Sequence, residues 1–159
     1  MINSTLRNNL LSLITAKSKS LTGSGECWLG LLLTAPTNEN GTGYTEPSGA
    51  SYERIQLNIN AAMQYTDKWG TVSGGVVTNI DEICSSECKE DAGWGTEDAP
   101  ITHFGIFGAK TGGAALAWDK LRDITGQVDE NGLYPITTLT VAKNEVAVFR
   151  KETLMLKLI

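Results

Sequence analysis

The spacing of apolar positions changes once along this chain, near residue 27. Before that point Leu6, Leu10, Leu13 and Ile14 recur at helical spacing, behind Asn3 and Ser4, either of which can serve as a cap. This predicts an amphipathic helix and connector over residues 1–20, fading through the polar stretch "KSKSLTGSGE". Such a helix either packs on its own domain or reaches a neighbouring subunit. After residue 27 the helical period disappears. "CWLGLLLT" is a nearly continuous apolar run bounded by Gly25 and Pro36, which predicts a strand. "YERIQLNI" alternates: Tyr52, Arg54, Gln56 and Asn58 fall on a wetter side, and Ile55, Leu57 and Ile59 on the other. "VSGGVVTNI", "ITHFGIFG", "AALAWDKL" and "TLMLKLI" add further strands, and "ITTLTV" with "EVAVF" predicts a hairpin turning at Lys143 and Asn144.

Between these runs lie loops. "APTNENGTGYTEPSGAS" is dense in Pro, Asn, Gly, Thr and Ser and predicts a long surface loop. Residues 81–98 are acidic and poorly patterned, an exposed excursion, and residues 122–135 form a second inserted loop. About seven or eight short strands behind one helix predict an all-β domain over residues 21–159, a β-sandwich or jelly-roll-like fold. No β–α alternation calls for a parallel sheet, and no fixed-period repeat appears.

Composition supports this picture. Hydrophobic residues make up 41% and charged residues 19% of 159 positions, a globular balance with uncharged polar groups left for turns and exposed strand faces. A net charge of −5 and a pI near 4.9 argue against a sequence-independent grip on nucleic acid, which needs Lys and Arg to neutralise phosphates. The same balance argues against electrostatic membrane anchoring, and the longest apolar run near the N-terminus is far short of the roughly 20 residues of a membrane span. Asn, Ser and Thr interrupt the first apolar stretch, so no signal peptide is expected and synthesis is assigned to a cytoplasm.

Candidate chemistry is sparse. Cys84 and Cys88 form C-x3-C, a spacing that suits either free thiols or a small local disulfide. Three Cys and one His, far apart, lack the paired short spacings of zinc modules, so no metal is expected. His103 has neither a nucleophile-elbow pattern nor an evident orienting carboxylate nearby, and it is expected to be a structural residue of its strand rather than a catalyst. "GAKTGG" has the residues of a phosphate loop in the wrong order and ahead of a strand-like run; Gly112 and Gly113 are expected to turn a hairpin. No catalytic residue and no cofactor is assigned. "DENG" lacks the array of a calcium loop. Of the four tryptophans, Trp28 and Trp118 lie in strand-like runs and belong to the core, whereas Trp69 and Trp94 are expected at the surface as protein or glycan contacts.

The order of the pieces "LLLTAP", "GTGYTEPSGASYER", "ITHFGIFGAKTGG" and "LTVAKNEVAVFRKETLMLKLI" resembles a family of bacteriophage virion proteins commonly labelled tail fibre proteins. The resemblance runs from about Trp28 to Ile159, with residues 81–98 and 122–135 as departures. It implies a non-enzymatic virion structural protein on the exterior of head or tail, made in the bacterial host cytoplasm. Its implied partners are other virion proteins (major capsid or tail proteins), further copies of itself as a homo-oligomer, and a host-surface receptor. A capsid decoration or tail-associated subunit is the leading reading. A receptor- or glycan-binding module at a tail tip is the alternative, and a small hydrolase using His103 is the weakest.

Overall fold

The structure, a computed structural model, describes residue 3 and residues 27–58, 76–123, 125–130 and 133–157; the expected N-terminal helix and Trp69 lie outside these, Asn3 excepted. β1 (Cys27–Leu32) forms on the apolar run and is buried along nearly its whole length. A strand buried on both faces needs partners on both edges and a layer on each side. β1 accordingly lies between β2 (Ile55–Asn58) and a strand at His103–Phe107, and Ala117–Lys120 completes a four-stranded antiparallel sheet. Two two-stranded ribbons are added: β3 (Val76–Thr78) pairs with Met155–Lys157, and β4 (Ile83–Cys84) with Val148–Phe149. In chain order the remaining strands are β5 (His103–Phe107), β6 (Ala117–Lys120), β7 (Val148–Phe149) and β8 (Met155–Lys157), so the sheet reads β2-β1-β5-β6. The described chain is all-β and antiparallel.

Register sorts the core into two clusters. Trp28 faces Phe107, Gly30 faces Gly105 and Leu32 faces His103 across β1 and β5. These positions share one face of the pleat, while Leu29, Leu31, Phe104 and Ile106 share the other. On the first face Trp28, Leu32, Phe107, Ala115 and Trp118 are buried together. On the second, Leu29, Leu31, Phe104 and Ile106 pack with Ile83, Trp94, Val141 and Leu154, which come from the segments that close the domain.

The paired glycines on the first face make room for a ring. A Cβ on Gly30 would lie 2.7 Å from Phe107 Cε2 and 2.8 Å from Glu46 Oε1, and one on Gly105 would lie 2.8 Å from the same ring carbon. Phe107 therefore lies down over its own sheet, with a carboxylate beside it. Gly30→Ala overfills this trough, and a loss of about 1–3 kcal/mol is expected from equilibrium urea unfolding. An unchanged midpoint would show that the ring is free to move aside.

Other expectations change in the folded chain. The turn at Lys143 and Asn144 is present, with Asn144 at φ 66° and Glu145 N donating to Ala142 O at 3.0 Å. Its two arms do not pair with each other. Val141 bridges Trp94 and Leu139 bridges Ile101 on one side, while β7 pairs with β4 on the other. Residues 83–101 run along both arms: Cys88 N donates to Glu145 O and Ser85 N to Ala147 O. The acidic segment 81–98 is thus no exposed excursion, since Ile83, Ser85, Cys88 and Trp94 are buried in it. Nor is the 35–51 loop only a surface loop. It closes through the Thr34–Thr45 bridge and turns Tyr44 and Glu46 inward against the sheet.

Candidate functional site

Arg54 occupies the side of "YERIQLNI" that alternation marks as wet, yet it is 3% exposed. Burying a guanidinium is tolerated only with full pairing. Its Nε donates to Glu46 Oε1 (2.9 Å), and Nη2 donates to Glu46 Oε2 (2.7 Å) and to Tyr44 OH (3.0 Å). Nη1 donates to the carbonyls of Ala109 (3.0 Å) and Gly112 (2.7 Å). These bonds use all five guanidinium donors. The plane also lies 3.4 Å from the Phe107 ring centroid, the ring seated on the glycine pair. Burial opposes the charge on Arg54, but Glu46 and then Tyr44 outweigh it and hold the pKa above the ordinary arginine value.

The arginine thereby clamps the turn after β5. Ala109 and Gly112 are held from beneath, and Tyr44 OH donates to Gly113 O at 2.6 Å. Gly112 and Gly113 adopt φ of 62° and 73° with open space around them, so they reverse the chain as expected. Above the clamp Lys110 pairs with Glu53 at 2.6 Å, both half exposed.

Tyr52 ties this cluster to a second one. Its hydroxyl accepts from Leu31 N (2.9 Å), a strand donor beyond the reach of β2, and donates to Glu46 Oε1 (2.9 Å). Burial, then the Glu46 carboxylate, drive its pKa upward. The Tyr52 ring meets the Trp94 ring edge-on at 5.4 Å. Trp94 Nε1 donates to Glu90 Oε2 at 2.8 Å, Ser51 N donates to Oε1 at 2.9 Å, and the Ser51 hydroxyl donates to Oε2. The Ser51 hydroxyl and amide pull the Glu90 pKa down to about 2. Because the folded pKa is depressed, this stabilisation is complete above about 4.5, the ordinary value, and disappears as pH falls through about 2. Between those values the wild-type protein is expected to lose stability more steeply than Glu90→Gln, as read from urea midpoints at stepped pH. Parallel curves for the two proteins would refute a special role for the carboxylate.

The residues singled out in the sequence separate here. Trp94 is 0% exposed, a core residue rather than a surface contact, because its segment is sandwiched between the two arms of the 143–144 turn. Trp69 lies outside the described residues. Cys84 and Cys88 are not joined in a disulfide: Cys84 is exposed on β4, whereas Cys88 is buried with Sγ 3.6 Å from Glu90 Oε2. Burial raises the Cys88 pKa. His103 sits half-buried on β5 between Leu32 and Lys120, with Nδ1 2.7 Å from Thr102 Oγ1. Burial, then Lys120, lower its pKa. No described cluster of His, Cys, Asp or Glu has the form of a metal site. The Tyr44–Glu46–Tyr52–Arg54 cluster escaped the sequence reading, although its members lie within "YTEPSGASYER". The usable signal was the shared side of Tyr52 and Arg54, one strand position apart in the alternation, with a carboxylate a few residues upstream.

Residues 1–142 match a family model described as "Podophage GP4 fiber I protein gp80". No curated protein matches the chain. The match covers most of the chain, and the chain belongs to this family of phage fiber proteins, virion-associated structural proteins.

Proposed function

We propose that this podophage fiber protein is a non-enzymatic subunit of the virion exterior, a capsid decoration or tail-associated component acting through protein–protein contacts. Family membership over residues 1–142 carries the reading. In support, large apolar side chains stand exposed on two neighbouring stretches of the sequence: Val128, Leu133 and Ile136 in one, Val146 and Val148 in the other. Such side chains are available for burial against other virion proteins or further copies of the chain. The reading includes a single sandwich-like β domain from residue 21 onward, with the N-terminal helix serving a neighbouring subunit. Quantitative mass spectrometry of purified particles, with immunogold labelling, tests it. Multiple copies per particle, labelled at the outer surface of head or tail, are expected. Absence from washed particles would overturn it.

A further inference from the structure

The ribbon of β4 and β7 ends in an open edge. Ser85 N donates to Ala147 O and Cys88 N to Glu145 O, so Glu145 and Ala147 turn their main-chain groups toward the 83–88 segment. Strand alternation then turns the N–H and C=O of Val146 and Val148 the other way. Among the described residues nothing bonds to them there. Their side chains are 43% and 45% exposed, while Ala147 between them is buried. We propose that this edge pairs, antiparallel, with the same edge of a second copy of the chain, about a twofold axis at Ala147.

Edges that stay alone are guarded by charge, proline or a bulge. β6, at the margin of the four-stranded sheet, exposes Asp119 and Lys120 in this way. The Val146–Val148 edge carries none of these guards. Its own geometry also fits a copy of itself. Residues that face each other across a new pair must both turn their main-chain groups toward it. A register centred on Ala147 meets that condition, setting Val146 of each copy opposite Val148 of the other. Every such couple exchanges an N–H···O=C bond in each direction, about four in all. It also sets valine beside valine on the exposed face, where β-branched side chains suit a pleated surface.

Charge selects the same partner and the same direction. Glu145 precedes the open edge, and Arg150 and Lys151 follow it, all three exposed. Antiparallel pairing brings the acidic end of each strand to the basic end of the other, whereas parallel pairing would stack like charge on like. A second copy supplies this complement by symmetry alone, because a twofold contact uses one patch twice. The contact is small, below the area that holds a stable dimer in dilute solution. It gains weight where copies are crowded, since a neighbour fixed nearby acts as a high local concentration. For that crowding the proposal rests on the virion reading above, and it names the partner which that reading leaves open.

Sedimentation equilibrium of the full-length protein up to about 1 mM, with amide hydrogen exchange at low and high concentration, tests the pairing. A monomer–dimer equilibrium is expected, in which the Val146 and Val148 amides slow as dimer forms. The Ala147 amide, already bonded to Ser85 Oγ at 2.9 Å, should exchange at an unchanged rate. Val148→Lys should weaken the dimer about tenfold or more, because each copy brings a charge to the axis. Its thermal midpoint at low concentration should match the wild type, and if it falls the wild-type exchange pattern decides. A monomer at every concentration, a closed assembly of three or more, a dimer indifferent to Val148→Lys, or slowed amides elsewhere would each overturn the proposal. Slowing at Val146 and Val148 only when another virion protein is added would overturn it as well, assigning the edge to that protein. A strict monomer that is nonetheless abundant on washed particles refutes the pairing and leaves the subunit reading standing; a dimer absent from particles does the reverse.

Discussion

Arg54→Met is expected to lower folding stability by about 3 kcal/mol, at the low end of the range for breaking a buried pair because Glu46 keeps some access to water. The substitution leaves Glu46 with half its partners gone and Tyr52 donating to an uncompensated carboxylate. It also strands the carbonyls of Ala109 and Gly112, which face inward beneath the turn. Methionine matches the aliphatic length and retains contact with Phe107, so lost volume contributes little. Lysine should not rescue: one ammonium has no fork to reach a carboxylate, a phenol and two carbonyls together. Adding Glu46→Gln to Arg54→Met should restore part of the loss, since it removes the orphaned charge. Urea midpoints at constant m would read all three. A loss under about 1 kcal/mol for Arg54→Met would mean that the buried pair contributes no more than an exposed one.

Trp94→Ala should cost about 3–5 kcal/mol, the range for emptying a large aromatic site in a core. The indole belongs to the core cluster that holds Val141 and Ala147, touches Tyr52 edge-on, and satisfies Glu90. Trp94→Phe keeps most of the volume and removes the N–H, so its loss should be smaller while the acid sensitivity conferred by Glu90 changes. Thermal or urea unfolding distinguishes this from a surface role, in which Trp94→Ala would abolish a contact and leave the unfolding transition where it was.

What could be read from the sequence depended on whether local period or long-range pairing decides the structure. β1 and β5 were legible because central strands need continuous apolar runs, and "CWLGLLL" and "HFGIF" supply them. The reversal at Gly112 and Gly113 was legible because only glycine takes positive φ without strain. The partners of residues 136–149 were not. A turn signal at Lys143–Asn144 says that the chain reverses, and it says nothing about a third segment entering between the arms. That segment looked exposed because its acidic residues hide the spacing of Ile83, Cys88 and Trp94, which is neither helical nor alternating. Arg54 was misplaced for a related reason. Alternation distinguishes the two sides of a strand, but a charged side chain on one side reads as wet unless its partner is identified. Glu46 lies across a loop whose Gly and Pro content shows only that it bends.

The clamp beneath the 109–113 turn has a consequence for endurance outside a cell. Lys110 offers trypsin-like enzymes a cleavable bond at an exposed tip flanked by glycines, ordinarily the first place a protein is nicked. A protease must draw several residues into an extended line before it can cut, and here the carbonyls of Ala109, Gly112 and Gly113 are each held by a side chain from another part of the fold. Digestion at this tip must wait for those bonds to release, so its rate follows the opening of the Arg54 cluster rather than the exposure of Lys110. The buried arginine thus sets how readily this exposed tip can be drawn into a protease's cleft.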